Sequence, residues 1–322
     1  MVDVKPAFLG RMPTNHRKLI VICSVLLSCG FLFLAVQFFD QPEWSNVPKP
    51  NLSAVSDIIH GAFHPSQDVA LILGKTEGEN IDWVDDFCKS FACTPYTYSL
   101  EETPEKGFLA ANSSIGHEAN AYLTYIVNHY DRLHPYSIFV HGMRDQWHND
   151  VGGVRTNEQL SNLRFEAIDA NGYINLRCQA DPGCPEFIYL KHPGPVTIAM
   201  KYLIDVFPQQ YAEIFGVDPS TAPKHVGASC CAQFAVTRDR IHQRPREDYE
   251  RMLNWVTSTN STDSFGVGWM MEKLWHIVFQ MPAVNCPSVD QCRCDLYGWC
   301  GPHPGVQGVL QPIGPQATST RV

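Results

Sequence analysis

Polar side chains that could bind a phosphate or a metal ion follow one strongly apolar run of the chain. In SIFVHGMRDQWHND, residues 137–150, the apolar positions give way to His141, Arg144, His148 and Asp150. His148 and Asp150 are two residues apart and could ligate one cation, and imidazole with carboxylate oxygen suits Mn²⁺ or Mg²⁺. Arg144 could contact a phosphate, with His141 as a second cofactor-binding residue. The stretch predicts a site that binds a metal ion and a phosphate. The alternative is a loop whose histidines form hydrogen bonds to the backbone and whose charged side chains are solvated.

Two later segments contain further candidates. In GWMMEKLWHIVF, Glu272 and His276 are four residues apart and share one face of a predicted helix. Ionisable groups on so apolar a helix need partners when they are buried. We expect His276 to complete the metal site and Glu272 to act as a catalytic base, although a hydrogen bond to the sheet would also explain the pair. Asp248, in PREDYERMLNW, is a second candidate base; the alternative is that it stabilises the dipole of a helix that Pro245 opens.

The elements that must position these residues alternate from residue 68 onward. DVALILG, PYTYSL and YSIFVHG have the length and composition of buried strands, and NIDWVDDFCKSF and GHEANAYLTYIVNHYDRL have helical periodicity between them. This alternation predicts a parallel, doubly wound sheet. Ligands of such sheets bind beyond the carboxyl ends of the strands, and His141 to Asp150 follow the third predicted strand.

The second half of the domain is less regular. We predict helices in TNEQLSNLRFEAI, PGPVTIAMKYLIDVF, PREDYERMLNWVTS and FGVGWMMEKLWHIVFQ, and strands in GYINLRC and HVGASCCAQFAVT. Together with the first half, they predict a mixed α/β sheet flanked by helices over residues 67–300. Residues 301–322 are rich in Gly, Pro and polar residues without periodicity, and are predicted to be disordered.

The N-terminal region predicts a membrane anchor. Leu19–Phe39 is a run of 21 residues without a charge, preceded by basic residues and followed by acidic ones. Its length suits a helix that crosses about 30 Å of hydrocarbon, and the basic flank should stay in the cytosol. We predict a cytosolic segment over residues 1–18, a signal-anchor over 19–39 and a stem over 40–66, in a type II protein facing the Golgi or endoplasmic reticulum lumen. A cleaved signal peptide is the alternative.

The cysteines and glycosylation sequons agree with that compartment. Ten of the 12 cysteines lie outside the apolar run, in close sets that predict disulfides. The last set, from Cys286 to Cys300, is predicted to form a cross-linked knot, with a zinc cluster as the alternative. Sequons occur at Asn51, Asn112 and Asn260.

Charge and missing motifs exclude several classes of function. From residue 19 onward the chain has 20 basic and 32 acidic residues, so nucleic acid is not an expected partner. The sequence has no P-loop, G-x-S-x-G, G-x-G-x-x-G or H-E-x-x-H motif, which argues against kinase-like, serine hydrolase, dinucleotide-binding and zincin functions.

Several segments carry a family resemblance. SIGHEANAYLTYIVNHYDRL, FVHGMRDQWHND, GYINLRC, CCAQFAVTRDRIHQRPREDYERMLNW, MEKLWHIVF and CPSVDQCRCDLYGWC resemble the fungal family catalogued as domain of unknown function 3431. More distantly, the Rossmann-like first half, AQFAVTRDRI and the late E-x-x-W-H look like glycosyltransferases of the GT-A fold. That likeness implies an Asp-x-Asp that holds Mn²⁺ against a nucleotide-sugar diphosphate, and a late histidine ligand. The chain has no Asp-x-Asp; His148-x-Asp150, with His276, is the nearest substitute.

These observations favour transfer of a sugar from a nucleotide sugar to a carbohydrate, protein or small-molecule acceptor. Two alternatives remain open at this stage. One is a non-catalytic luminal scaffold or carbohydrate-binding protein, which the missing Asp-x-Asp favours. The other is a metal-dependent hydrolase or tailoring enzyme that uses His141, His148, Asp150 and His276; bound zinc would favour it, and bound manganese would favour transfer.

Overall fold

A computed structural model describes residues 68–150, 155–185, 187–190 and 198–300 of the chain. The predicted cytosolic segment, signal-anchor, stem, Asn51 sequon and C-terminal tail all lie outside these residues. Within the described ranges, no helix has both the length and the apolar character needed to cross a membrane.

In the described residues, nine strands form a larger and a smaller sheet. In chain order they are β1 Val69–Lys75, β2 Cys93–Ser99, β3 Leu109–Ala110, β4 Tyr136–His141, β5 Tyr173–Asn175, β6 Ile188–Tyr189, β7 His225–Ala228, β8 Phe234–Thr237 and β9 Val284–Asn285. The larger sheet has the order β3-β2-β1-β4-β8-β5, and the smaller one β6-β7-β9. Strands β1 to β4 are parallel, whereas β8 is antiparallel to both β4 and β5. The larger sheet is therefore mixed, as the sequence predicts.

The strand order reverses between β1 and β4. From β1, the chain adds β2 and β3 on one side of the sheet and then returns to place β4 on the other. In open α/β sheets, such a reversal leaves a crevice beyond the carboxyl ends of the two strands. We call this side of the sheet, with the loops that follow β1, β2, β4 and β5, the carboxyl edge.

Helices cover both faces of the larger sheet. They are α1 Trp83–Phe91, α2 Glu118–His129, α3 Thr156–Ser161, α4 Phe165–Asn171, α5 Ile198–Phe215, α6 Arg238–His242, α7 Arg246–Ser258, α8 Ser264–Val278 and α9 Val289–Tyr297. Alternate residues of β1 point to opposite faces. Ala70 and Ile72 pack in a core with α2, α7 and α8, while Leu71 and Leu73 pack in a second core with α1, α4 and α9. The sheet is thus the middle of three layers, which explains its nearly continuous apolar strands.

Most predicted elements are present, with two corrections. The single helix predicted over TNEQLSNLRFEAI is two short helices, α3 and α4. The single strand predicted over HVGASCCAQFAVT is two strands, because the chain turns at Cys230–Gln233 and β7 and β8 enter different sheets. The short strands β3, β6 and β9 and helix α9 have no periodic signal, and the sequence does not predict them.

All ten described cysteines form disulfides, as predicted. The pairs are Cys88–Cys93, Cys178–Cys292, Cys184–Cys286, Cys230–Cys231 and Cys294–Cys300. The prediction of a self-contained knot from Cys286 to Cys300 is wrong, because only Cys294–Cys300 closes within that segment. Two of its cysteines instead join the C-terminal segment to residues more than 100 positions earlier. Each bridge is expected to contribute about 2–4 kcal/mol.

Candidate functional site

A cleft opens at the carboxyl edge, where β1 and β4 end. It has a volume of about 410 Å³ and is lined by Asn80, Asp82, Trp83, Met143, Arg144 and Asp145, from the loops that follow these two strands. The loops come close together because Gly142 has no side chain. A Cβ atom there would lie 3.1 Å from both the Gly74 carbonyl oxygen and Glu79 Oε2. The cleft therefore occupies the position that the reversal of strand order predicts.

Arg144 is the cation of this cleft. Its side chain is 41% exposed, and its Nε donates a hydrogen bond to Asp145 Oδ2 at 3.0 Å. Asp145 also pairs with Arg155, at 3.3 Å. Because exposed ion pairs of this kind are weak, the Arg144 guanidinium can exchange Asp145 for an anionic ligand at small cost.

The two histidines of residues 137–150, His141 and His148, lie against each other. His141 Nε2 donates to the Cys231 carbonyl oxygen at 2.8 Å, and its ring stacks on His148 with 4.6 Å between centroids. His148 Nδ1 donates to Gln146 Oε1 at 3.0 Å. Burial lowers the pKa of His148 to about 3, and the neighbouring His141 and Arg177 act in the same direction. His148 is therefore neutral at neutral pH, and the Nε2 proton of His141 is directed at a carbonyl.

Arg177, which follows β5, connects the loops of this region. It donates to the Trp147 carbonyl oxygen at 2.9 Å, to Gln179 Oε1 at 2.8 Å and to the Asp181 carbonyl oxygen at 3.2 Å. Its side chain is buried, and burial lowers its pKa, whereas nearby carboxylates that include Asp181 and Glu272 raise it. Guanidinium remains charged in proteins, so a buried positive charge lies beneath the loop after β4.

Strained backbone conformations also occur at the carboxyl edge. Cys231, in the disulfide with its neighbour Cys230, has a φ of 130°, Ala232 has 54° and His117 has 50°. His117 immediately precedes α2, whose first residue lies against the end of β1: a Cβ on Gly74 would lie 3.3 Å from the Glu118 Cα. Positive φ values are unfavourable for residues other than glycine, and such strain concentrates at functional sites.

Asp150, which the sequence predicts to be a metal ligand, is bound by protein donors. Arg293 Nε donates a hydrogen bond to Asp150 Oδ1 at 2.9 Å, a terminal nitrogen of the same guanidinium lies 2.8 Å from Oδ1 in an ion pair, and the Cys178 amide donates to Oδ2. The Asp150 side chain is fully buried and that of Arg293 is 9% exposed. Asp150 therefore joins the loop after β4 to α9, and its carboxylate is occupied by protein donors.

The predicted three-ligand set is not formed either. His276 is 1% exposed and its Nε2 donates to the Ala283 carbonyl oxygen at 2.9 Å, which ties α8 to the chain entering β9. In the described parts of the chain, no three His, Cys, Asp or Glu side chains lie close enough to hold one metal ion. In the described residues, His148, Asp150 and His276 are thus not brought together as one metal site.

Asp248, the second predicted base, pairs with two arginines away from the cleft. Arg244 and Arg251 donate to its two carboxylate oxygens at 2.9 and 2.6 Å. Burial opposes ionisation, but the hydrogen bonds from Arg251 and Arg244 outweigh it and hold the pKa of Asp248 below its ordinary value. The Arg244 carbonyl accepts from Tyr130, which follows the C-terminal end of α2. Because α2 begins at the carboxyl edge, this cluster lies towards the opposite edge.

Glu272 lies on α8, outside the residues that line the cleft. Its side chain is 25% exposed and accepts a hydrogen bond from Lys273 at 2.7 Å. Lys273 is buried, with its ammonium 3.8 Å from the centroid of the Phe187 ring. Burial lowers the pKa of Lys273, and Glu272 opposes that change. Glu272 is also one of the carboxylates that raise the pKa of Arg177, although burial, Asp150 and Asp181 affect that pKa more.

The sequence does not predict the roles of Arg177 and Lys273 or the turn at Cys230–Cys231. GYINLRC reads only as a strand, and nothing local shows that its arginine reaches back to the loop after β4. Two adjacent cysteines were a usable signal for the turn, because a bond between neighbours cannot form in an extended strand. The two described sequon residues, Asn112 and Asn260, are exposed in loops and accessible to modification.

Comparisons with known proteins identify the family. The family model described as protein of unknown function DUF3431 matches residues 71–295. The chain belongs to this family. A search of curated proteins and a search of solved structures found no significant match. The DUF3431 match covers both sheets and every described element of the candidate site.

Proposed function

We propose that this DUF3431 domain binds a nucleotide sugar in the cleft between the loops after β1 and β4 and transfers the sugar to an acceptor hydroxyl. The observation that carries the proposal is the position of this cleft of about 410 Å³, where the strand order reverses, with Arg144 in its wall. Small-molecule sites of open α/β sheets favour this position and this range of volume.

The charges around the cleft support binding of a diphosphate next to hydroxyl groups. Arg144 supplies a cation whose ion pair with Asp145 is exposed to solvent. Helix α2, 12 residues long, begins beside the end of β1, and the partial positive charge at its N-terminus favours an anion nearby. The carboxylate of Asp82, in the cleft wall, can accept hydrogen bonds from ribose or sugar hydroxyls. The cleft therefore offers positive charge for the diphosphate and a hydrogen-bond acceptor for the hydroxyls of a nucleotide sugar.

The transfer step needs a base and stabilisation of the leaving group. In the proposed reaction, Glu272 accepts the proton of the acceptor hydroxyl as the oxygen attacks the anomeric carbon. The bond from that carbon to the diphosphate breaks, and the departing nucleoside diphosphate carries away the electron pair. Arg144 stabilises the negative charge that develops on the leaving oxygen.

A divalent ion, which the GT-A resemblance implies, does not fit the residues predicted to hold it. The Asp150 carboxylate is bound by Arg293 and the Cys178 amide, and His276 Nε2 by the Ala283 carbonyl. The proposed reaction therefore includes no step through a metal, and the assay below is run with and without Mn²⁺ and Mg²⁺.

Carbohydrate binding without transfer is the second candidate. The specific observation in its favour is the ion pair between Asp150 and Arg293. His148-x-Asp150 is the nearest substitute for an Asp-x-Asp motif, and this ion pair occupies its carboxylate. This candidate shares the cleft but has no turnover.

The proposal is tested by titrating purified full-length protein with uridine, guanosine and cytidine nucleotide sugars, and by measuring release of free nucleotide in the presence of acceptor glycosides. Arg144→Ala should weaken nucleotide-sugar binding about tenfold, since a charge-assisted hydrogen bond contributes about 1.5–3 kcal/mol. Arg246→Ala is the matched control. Arg246 is equally exposed, at 42%, and pairs with Asp131 just after α2 ends, at the opposite edge of the sheet. Equal loss in both variants, or no binding by the unmodified protein, would refute the proposal.

A further inference from the structure

Trp147 is an exposed aromatic residue that the proposed reaction does not use. It is 56% exposed, on the loop that also contains Arg144. Met143 to Asp145 line the cleft, whereas Trp147 lies beyond them, towards the residues that follow β5. Tryptophan is enriched at binding interfaces because it joins a large apolar ring to a polar N–H group.

The Trp147 ring is held in place from behind. Arg177 donates to the Trp147 carbonyl oxygen and places its guanidinium carbon 5.3 Å from the ring centroid. The His148 ring lies against it, at 4.2 Å between centroids. Because Arg177 is buried and fixed by several hydrogen bonds, the indole loses little conformational freedom when a ligand covers its open face. The ring is preorganised and still exposed.

Polar groups that suit hydroxyls lie beside the ring. The same guanidinium donates to Gln179 Oε1 and to the Asp181 carbonyl oxygen. The Asp181 side chain is exposed and Gln179 is partly exposed. One buried arginine thus contacts an aromatic ring, a side-chain amide and the backbone of an exposed aspartate. An apolar surface bordered by amide and carboxylate groups matches a sugar ring, which has apolar C–H faces and hydroxyls around its rim.

We infer that Trp147 is the stacking surface for a pyranose ring of a carbohydrate acceptor, with Gln179 and Asp181 binding its hydroxyls. The role of this sugar as the acceptor rests on the proposed function, in which the nucleotide sugar binds in the cleft between the loops after β1 and β4. Trp147 lies on the side of that cleft away from β2 and β3, next to the residues after β5 and before β8. A sugar on Trp147 therefore lies beside the donor and does not overlap it.

The test is saturation-transfer NMR on full-length protein with methyl glycosides of glucose, galactose, mannose and N-acetylglucosamine, without nucleotide. At least one glycoside should bind, and Trp147→Ala should weaken it about tenfold through loss of stacking and buried area. Trp147→Phe, which keeps a ring, should bind within about threefold of the unmodified protein. Tyr202→Ala, which removes an aromatic ring that is 52% exposed on α5, should bind normally.

The outcomes separate this inference from the proposed function. Glycoside binding that depends on Trp147, in a protein that binds no nucleotide sugar, would keep the stacking surface and refute transfer. The inference is overturned if no glycoside binds or if Trp147→Ala binds as well as the unmodified protein. It is also overturned if Trp147→Ala abolishes nucleotide binding alone, since the ring would then stack on a nucleobase.

Discussion

Replacing Asp150 by Asn should destabilise the domain strongly, because Asp150 is half of a buried ion pair. Its side chain is fully buried and accepts hydrogen bonds from Arg293 Nε at 2.9 Å and from the Cys178 amide, and a terminal nitrogen of Arg293 lies 2.8 Å from the carboxylate in the ion pair. The change leaves the guanidinium buried without a counter-charge, and breaking such a pair typically costs about 3–5 kcal/mol. For a domain of ordinary stability, about 5–15 kcal/mol, that is a large fraction. Urea unfolding followed by tryptophan fluorescence measures the difference.

Asp145→Asn is the matched control. Asp145 lies five residues earlier in the same loop and also pairs with arginines, but its side chain is 51% exposed, and the expected loss is below about 1 kcal/mol. Asp150→Asn combined with Arg293→Met should recover part of the stability, since no unpaired charge then remains buried. If Asp150→Asn unfolds at the same urea concentration as Asp145→Asn, the assignment of Asp150 as a structural residue is wrong, and its prediction as a metal ligand regains support.

Three further predictions concern other parts of the domain. The pKa of His148 is about 3 in the folded state and about 6.5 in the unfolded state, so only the unfolded state gains a proton between these values. Stability should therefore fall from pH 7 to pH 5 by about 2 kcal/mol more in the unmodified protein than in His148→Asn, as measured by urea unfolding; equal pH dependence would contradict this. Replacing both Cys178 and Cys292 by Ala should cost about 2–5 kcal/mol, because their bridge spans 114 residues; an unchanged melting temperature would count against the bridge. Protein from a secretory host should lose mass on endoglycosidase treatment, and less so after Asn112→Gln or Asn260→Gln; a mass that the enzyme does not change would argue against a luminal domain.

The sequence predicts the first half of the fold well because local signals suffice there. Val69–Lys75 and Tyr136–His141 are apolar runs of strand length, and the helix between them is long and periodic, so each element can be read by itself. The second half depends on tertiary contacts. In HVGASCCAQFAVT, β7 and β8 enter different sheets, and no local pattern separates two such strands.

In the candidate site too, local signals predict some features, whereas others depend on tertiary contacts. The position of the polar loop after β4 is predicted, because it needs only strand order and the rule on carboxyl ends. The roles of its residues are not, because they depend on partners far away in the chain. Asp150 resembles a ligand by its spacing from His148, yet it pairs with Arg293, which lies 143 residues later. Arg177, which reaches the same loop from 30 residues away, has no signal in its own segment.

We propose above that the cleft between the loops after β1 and β4 binds a nucleotide sugar. It is tested most directly by photolabelling full-length protein with an azido analogue of the nucleotide sugar that binds best, followed by peptide mapping. We expect label in peptides that contain Asn80 to Trp83 or Met143 to Asp145, with protection by unlabelled nucleotide sugar. Protected label in peptides around the cleft at the opposite edge of the sheet, which Tyr136, Asp169 and Arg240 line, would contradict it.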